Sequence, residues 1–80
     1  MQHVMLFGEG WNGEVRDVEA GMQEFRYIPN QQDPHLREVL FTIKKYISDD
    51  GEMYLVGYFG KEPLMPDVEE AIFKYKPTPI

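Results

Sequence analysis

VLFTIKKYISDDGEMYLVGYF, residues Val39 to Phe59, is the stretch on which the fold turns. It reads as two strands joined by an Asp-Asp-Gly turn, a recognised hairpin signal. Two registers are open. A two-residue turn at Asp50-Gly51 sets Ile43 and Ile47 beside Tyr54, Val56 and Tyr58, with Thr42, Lys44 and Tyr46 beside Met53, Leu55 and Phe59. A three-residue loop, Asp49-Asp50-Gly51, sorts the faces better. Phe41, Ile43, Ile47, Met53, Leu55 and Phe59 then form an apolar face, and Thr42, Lys44, Tyr46, Tyr54, Val56 and Tyr58 an amphipathic one. A one-residue slip moves every side chain to the other face, so the cleaner sorting decides the register. The longer loop also ends in a residue of positive φ, which Gly51 supplies without a Cβ clash. Lys45 is the misfit on the apolar face and is expected near its rim. Leu36, Val39, Leu40, Ile43 and Ile47 also fall at helical spacing, behind Asp33 and Pro34. The β-branched and aromatic run from Val39 to Ile43 favours a strand over that helix.

Outward from the hairpin, His3 to Phe7 is an apolar run bounded by glycine and reads as a buried first strand. GEGWNG, Gly8 to Gly13, reads as a turn with positive φ, placing Trp11 at a loop tip. Glu14 to Val18 is expected as a second strand and Gln23 to Ile28 as a third, ended by Pro29. Pro29 to Pro34 reads as a polar loop. Gly60 to Pro66 breaks the chain again. Asp67 to Tyr75 carries a capping-box pattern, Asp67 with Glu70 three residues on. Val68, Ala71, Ile72 and Tyr75 would line its inner face, with Glu69, Glu70 and Lys74 outward. A helix this short must dock, and the amphipathic face of the hairpin is the platform; Ile72 to Lys76 as a last strand is the alternative. These elements predict one small domain over residues 1–80. Its class is α+β, mainly β: an antiparallel, partly rolled sheet of four to five strands with a short C-terminal helix.

Eight basic residues against fourteen acidic ones give a net charge of −6. That disfavours direct nucleic-acid binding and anionic membranes, and suits a basic partner; a charge of this size also serves solubility alone. There is no cysteine, so no disulfide or thiolate site is expected, which fits a reducing compartment. The start MQHVMLF lacks a secretory pattern, and no run approaches the ~18 apolar residues of a membrane span. A soluble, cytoplasmic chain is expected.

The residues supply little catalytic chemistry. GEGWNG lacks the lysine and hydroxyl of a phosphate loop, and Glu9 and Glu14 flank it. The only serine, Ser48, lies beside a hairpin turn without a nucleophile-elbow context, and the histidines are His3 and His35. Asp49, Asp50 and Glu52 do not match a calcium-loop spacing. Glu69 and Glu70, adjacent on a helix, do not face each other. No catalytic residue, metal site or cofactor is predicted, and the chain is read as a non-enzyme.

Two segments, VMLFGEGWNGEVRDV (Val4 to Val18) and FTIKKYISDDGEMYLVGYF (Phe41 to Phe59), are similar to a group of small uncharacterised bacteriophage proteins with an N-terminal GGPxDG-like loop. That group is found especially in phages of actinobacteria. This chain departs from it with Gly8-Glu9-Gly10 in place of Gly-Gly-Pro and Asn12 in place of Asp. The resemblance implies a phage origin and a small β-rich fold, and no particular activity; with a phage origin, the cytoplasm expected above is that of the host cell.

Two functions are expected from these features. The first is an inhibitor or adaptor that occupies the basic nucleic-acid groove of a host protein, such as a CRISPR effector, restriction enzyme or polymerase, with carboxylates in place of phosphates. Its candidate contacts are Asp49, Asp50 and Glu52 at the hairpin tip, with Glu9, Glu14, Glu69 and Glu70. Tyr46, Tyr54, Tyr58 and Trp11 join them, because large amphipathic aromatics favour interfaces; the same tyrosines could instead finish a core under the helix. The second is a structural accessory protein of a phage particle that self-associates through strand edges and the tyrosine face.

Overall fold

The computed structural model describes residues 1–27 and 38–80. Its elements are β1 (Gln2–Gly8), β2 (Trp11–Val18), β3 (Glu24–Tyr27), β4 (Val39–Ile47), β5 (Met53–Tyr58) and α1 (Met65–Tyr75). β4 and β5 form the expected hairpin. Ile47 pairs with Met53, Tyr46 with Tyr54 and Lys44 with Val56, the register of the three-residue loop. The Ser48 N–H donates to the Glu52 carbonyl at 2.8 Å and the Gly51 N–H to the Ser48 carbonyl at 3.0 Å. Gly51 takes φ of 84° to close that loop. Val39 to Ile47 is strand, not helix. Leu36, His35, Ile28 and the polar stretch Pro29 to Pro34 lie outside the described residues.

The sheet order is β2-β1-β5-β4-β3. The expectation of a purely antiparallel sheet is corrected: β1 and β5 run parallel, pairing Val4 with Leu55 through Phe7 with Tyr58. β1 and β2 make a hairpin on one flank. The chain then crosses to the far edge and lays β3, β4 and β5 inward, so β5 arrives beside β1 in the same direction. Such pairing needs a long crossover and leaves no local sequence signal. With neighbours on both sides and packing on both faces, β1 carries the continuous apolar run Val4 to Phe7.

The sheet curls into a half-barrel. Trp11 on β2 and Tyr27 on β3, at opposite ends of the strand order, meet edge-on with ring centroids 5.2 Å apart. The Arg16 guanidinium lies 5.1 Å from the Trp11 ring and 5.9 Å from the Tyr27 ring. Inside the curl, Val4, Leu6, Val18, Val39, Phe41 and Leu55 are buried, with Phe25 and Ile43 packed against them. On the outer side Met5, Phe7, Tyr54 and Val56 are buried under Val68 and Ala71 of α1.

Two local expectations are corrected. β2 begins at Trp11 rather than Glu14, because the β1–β2 turn is only Glu9-Gly10, both at positive φ. The helix begins at Met65, two residues before the expected cap. Pro66 fits its first turn, where its missing N–H needs no partner, and the Leu64 carbonyl accepts the Asp67 and Val68 N–H groups. Asp67 is therefore inside the first turn, not capping it. Lys76, in the left-handed region at φ 49°, ends the helix before Pro77. The tail then returns to the sheet, its Thr78 N–H donating to His3 Nδ1 at 2.9 Å and its Ile80 N–H to the Met53 carbonyl at 2.8 Å. No helix among the described residues is long and apolar enough to cross a membrane.

Candidate functional site

The end of the β4–β5 hairpin brings together four of the expected contact residues, Asp49, Asp50, Glu52 and Glu69. Asp49, Asp50 and Glu52 are exposed on the turn. The Glu52 N–H donates to Asp50 Oδ1 at 2.9 Å, fixing the loop from within. Glu69, placed outward by helical spacing, instead reaches this turn and is partly buried. Tyr46 Oη donates to Glu69 Oε2 at 2.7 Å, Ser48 Oγ to Oε1 at 2.9 Å, and the Asp49 N–H to Oε1 at 3.4 Å. Ser48, the buried polar side chain of the core, thus has its partner. Nothing in the local pattern around Glu69 announces this, because its three donors lie about twenty residues upstream.

The other candidates are dispersed. Glu9 is exposed on the β1–β2 turn, at the end of the sheet opposite the hairpin tip. Trp11 is not at a loop tip; it is half-buried at the start of β2 against Tyr27. Glu14 accepts from Tyr75 Oη at 3.3 Å and from the Asn12 N–H at 2.7 Å, so it ties β2 to α1. Glu70 is exposed and lines a small cleft on the β2 side with Asn12 and Lys74. The tyrosine face lies under α1: Tyr54 is buried, and Tyr46 and Tyr58 are half-buried. Lys44 Nζ donates to Glu62 Oε1 at 2.7 Å. The hydrogen bond and charge of Lys44 hold Glu62 below the usual carboxylate range, and Glu62 holds Lys44 above its own.

Among the described residues Arg26 pairs with Glu38 and Lys44 with Glu62, and His3 Nε2 lies 3.4 Å from Asp17 Oδ1; none of these contacts involves Asp49, Asp50, Glu52 or Glu69. Their negative field is felt by the adjacent tyrosines. Burial, then the Glu69 hydrogen bond and the charges of Glu69 and Asp49, push the Tyr46 hydroxyl far above its usual value. Burial, then the charges of Asp50, Glu52 and Glu69, raise Tyr54. A phenol with a raised pKa in the folded state stabilises the fold below the unfolded value of 10.0, and that contribution is lost as pH climbs through the raised value. Phenolate absorbance is therefore expected to show Tyr46 and Tyr54 titrating later than free tyrosine, with stability falling above pH 10 (about the free phenol value). Normal titration of both in the folded protein would contradict the packing of this end.

Comparison of the chain with protein-family models, curated proteins and solved structures gives no match. Chemistry at this surface is thus read from its own residues. Three exposed carboxylates on a hydrogen-bonded turn, with a fourth braced beneath them, can accept hydrogen bonds from guanidinium or ammonium groups. Among the described residues no group of three or more His, Cys, Asp or Glu side chains is arranged to hold a metal ion.

Proposed function

We propose that this chain is a non-enzymatic, acidic, phage-type binding protein that inhibits a host defence protein by occupying its basic nucleic-acid-binding surface, as an anti-CRISPR-like or anti-restriction-like inhibitor does. The observation that carries this reading is the turn Asp49-Asp50-Gly51-Glu52 braced by Glu69. Its carboxylates are presented to solvent on a fixed backbone, unpaired with Lys or Arg among the described residues. A preordered anionic surface binds a cationic groove with less ordering cost and attracts it at long range. The net charge of −6 and the resemblance to phage proteins point the same way.

The test is affinity capture from host lysate with the chain and with its Asp49→Lys/Asp50→Lys variant. The reversal is expected to reduce the retained partner about tenfold or more, as for close charge pairs at an interface. Raised salt and added DNA should each displace that partner. Retention indifferent to salt, DNA and charge reversal would refute the mechanism.

In a second reading the chain is a self-associating accessory protein of a phage particle, with Phe73, 81% exposed on α1, as an available apolar contact. Sedimentation of the isolated chain separates the two: a stable oligomer favours self-association, and a monomer counts against it.

A further inference from the structure

β3 is too short to cover β4. Its four residues pair with Val39 to Thr42, and a last bond runs from the Ile43 N–H to the Gln23 carbonyl at 2.9 Å. Beyond that point the chain of β3 turns away through Gly21 and Met22. The bond from the Ser48 N–H to Glu52 shows that the even-numbered residues at this end of β4 bond to β5. The N–H and C=O groups of Lys45 and Ile47 therefore point outward, with no strand beside them among the described residues. Next to this open edge the half-barrel is unroofed. A groove of about 550 Å³ runs over Ile43, Met53 and Leu55, walled by Met22 and Ile80. Ile47, paired with Met53, stands 63% exposed on this edge.

We infer that the Lys45–Ile47 edge of β4 receives an extended segment of a protein partner as an added strand, which drops an apolar side chain into the adjoining groove. An exposed edge with unpaired backbone groups is a template for strand addition, in which main-chain bonds hold the segment and a pocket selects alternate side chains. The inference rests on the binding-protein reading and gives that partner a chemistry. Asp49, Asp50 and Glu52 are exposed on the turn at one end of the edge, so the segment carries cations beside its apolar anchor. A second copy of this chain fits worse, because antiparallel self-pairing centred on Lys45 sets two lysines opposite each other, and like charges directly opposite destabilise.

The test follows amide hydrogen exchange in the labelled protein with a blocked seven-residue peptide alternating lysine and valine, and with the same peptide N-methylated at each valine. The parent peptide is expected to slow exchange at Lys45 and Ile47 about tenfold or more, and the N-methylated one to do nothing, since it lacks the donors. Ile47→Pro, which removes an outward N–H and spares the ladder to β5, should also abolish the effect. No slowing by the parent peptide overturns the inference. So does slowing without peptide that grows with protein concentration, which assigns the edge to a second copy. If the N-methylated peptide binds as well as its parent while Asp49→Lys/Asp50→Lys abolishes binding, strand addition fails and the acidic-surface reading stands. If N-methylation abolishes binding and the charge reversal leaves it unchanged, strand addition stands and the acidic-surface reading fails.

Discussion

Gly13→Ala is expected to cost about 3 kcal/mol or more, enough to unfold much of a domain of this size. Two effects add. Gly13 sits at φ 98°, where an L side chain is strained. It also opens a bulge in β2: Gly13 and Glu14 together oppose Leu6, because Met5 pairs with Val15 and Phe7 with Asn12. The bulge brings the β2 backbone up against α1, so that a Cβ at Gly13 would lie 2.4 Å from the Cβ of Ala71. That contact is backbone-anchored on both sides and no rotamer relieves it. Urea unfolding followed by Trp11 fluorescence measures the loss. Ala71→Gly in the same chain should recover the steric part and leave the strain, a coupling readable from the double-mutant cycle. A loss under about 1 kcal/mol, the ordinary effect of a point substitution, would mean that α1 does not rest on this bulge.

The residues legible from sequence are those whose partners are near in the chain. Asp49-Asp50-Gly51 specifies its own loop length, and the alternation of Phe41 to Phe59 then fixes which face each side chain takes. Val68, Ala71, Ile72 and Tyr75 repeat at helical spacing, and α1 buries that face. What is not legible depends on partners far away. The parallel β1–β5 pairing joins Val4 to Leu55, and neither segment carries a mark of direction. The run Val4 to Phe7 signals burial without saying against what. Trp11 reads from its glycine neighbours as a loop tip, whereas the two-residue turn Glu9-Gly10 makes it the first residue of a strand facing Tyr27. The capping-box reading of Asp67 and Glu70 loses to Pro66, which is compatible with an earlier helix start. Lys45, the one residue that breaks the apolar face of the hairpin, does lie at the rim, beside the groove where β3 stops short.

Glu69→Ala is expected to lower stability by about 2 kcal/mol, because it strands the Ser48 and Tyr46 hydroxyls and the Asp49 N–H together. In a domain this small that is a fall in melting temperature of roughly 10 °C. Glu69→Gln keeps an acceptor oxygen and should lose less. Tyr46→Phe removes one donor only, and the Glu69→Ala/Tyr46→Phe pair should be strongly non-additive, since both act on one contact. The same substitution separates two ways in which acidic residues could serve a partner. If the partner reads only charge, Glu69→Ala weakens capture by little, since Asp49, Asp50 and Glu52 remain. If it reads a fixed array, releasing the turn from the helix raises the ordering cost of binding, and capture falls with those three charges intact. A loss of partner without a loss of stability would place Glu69 in the interface itself. A loss of both makes it the strut that holds the hairpin tip in the shape the partner meets.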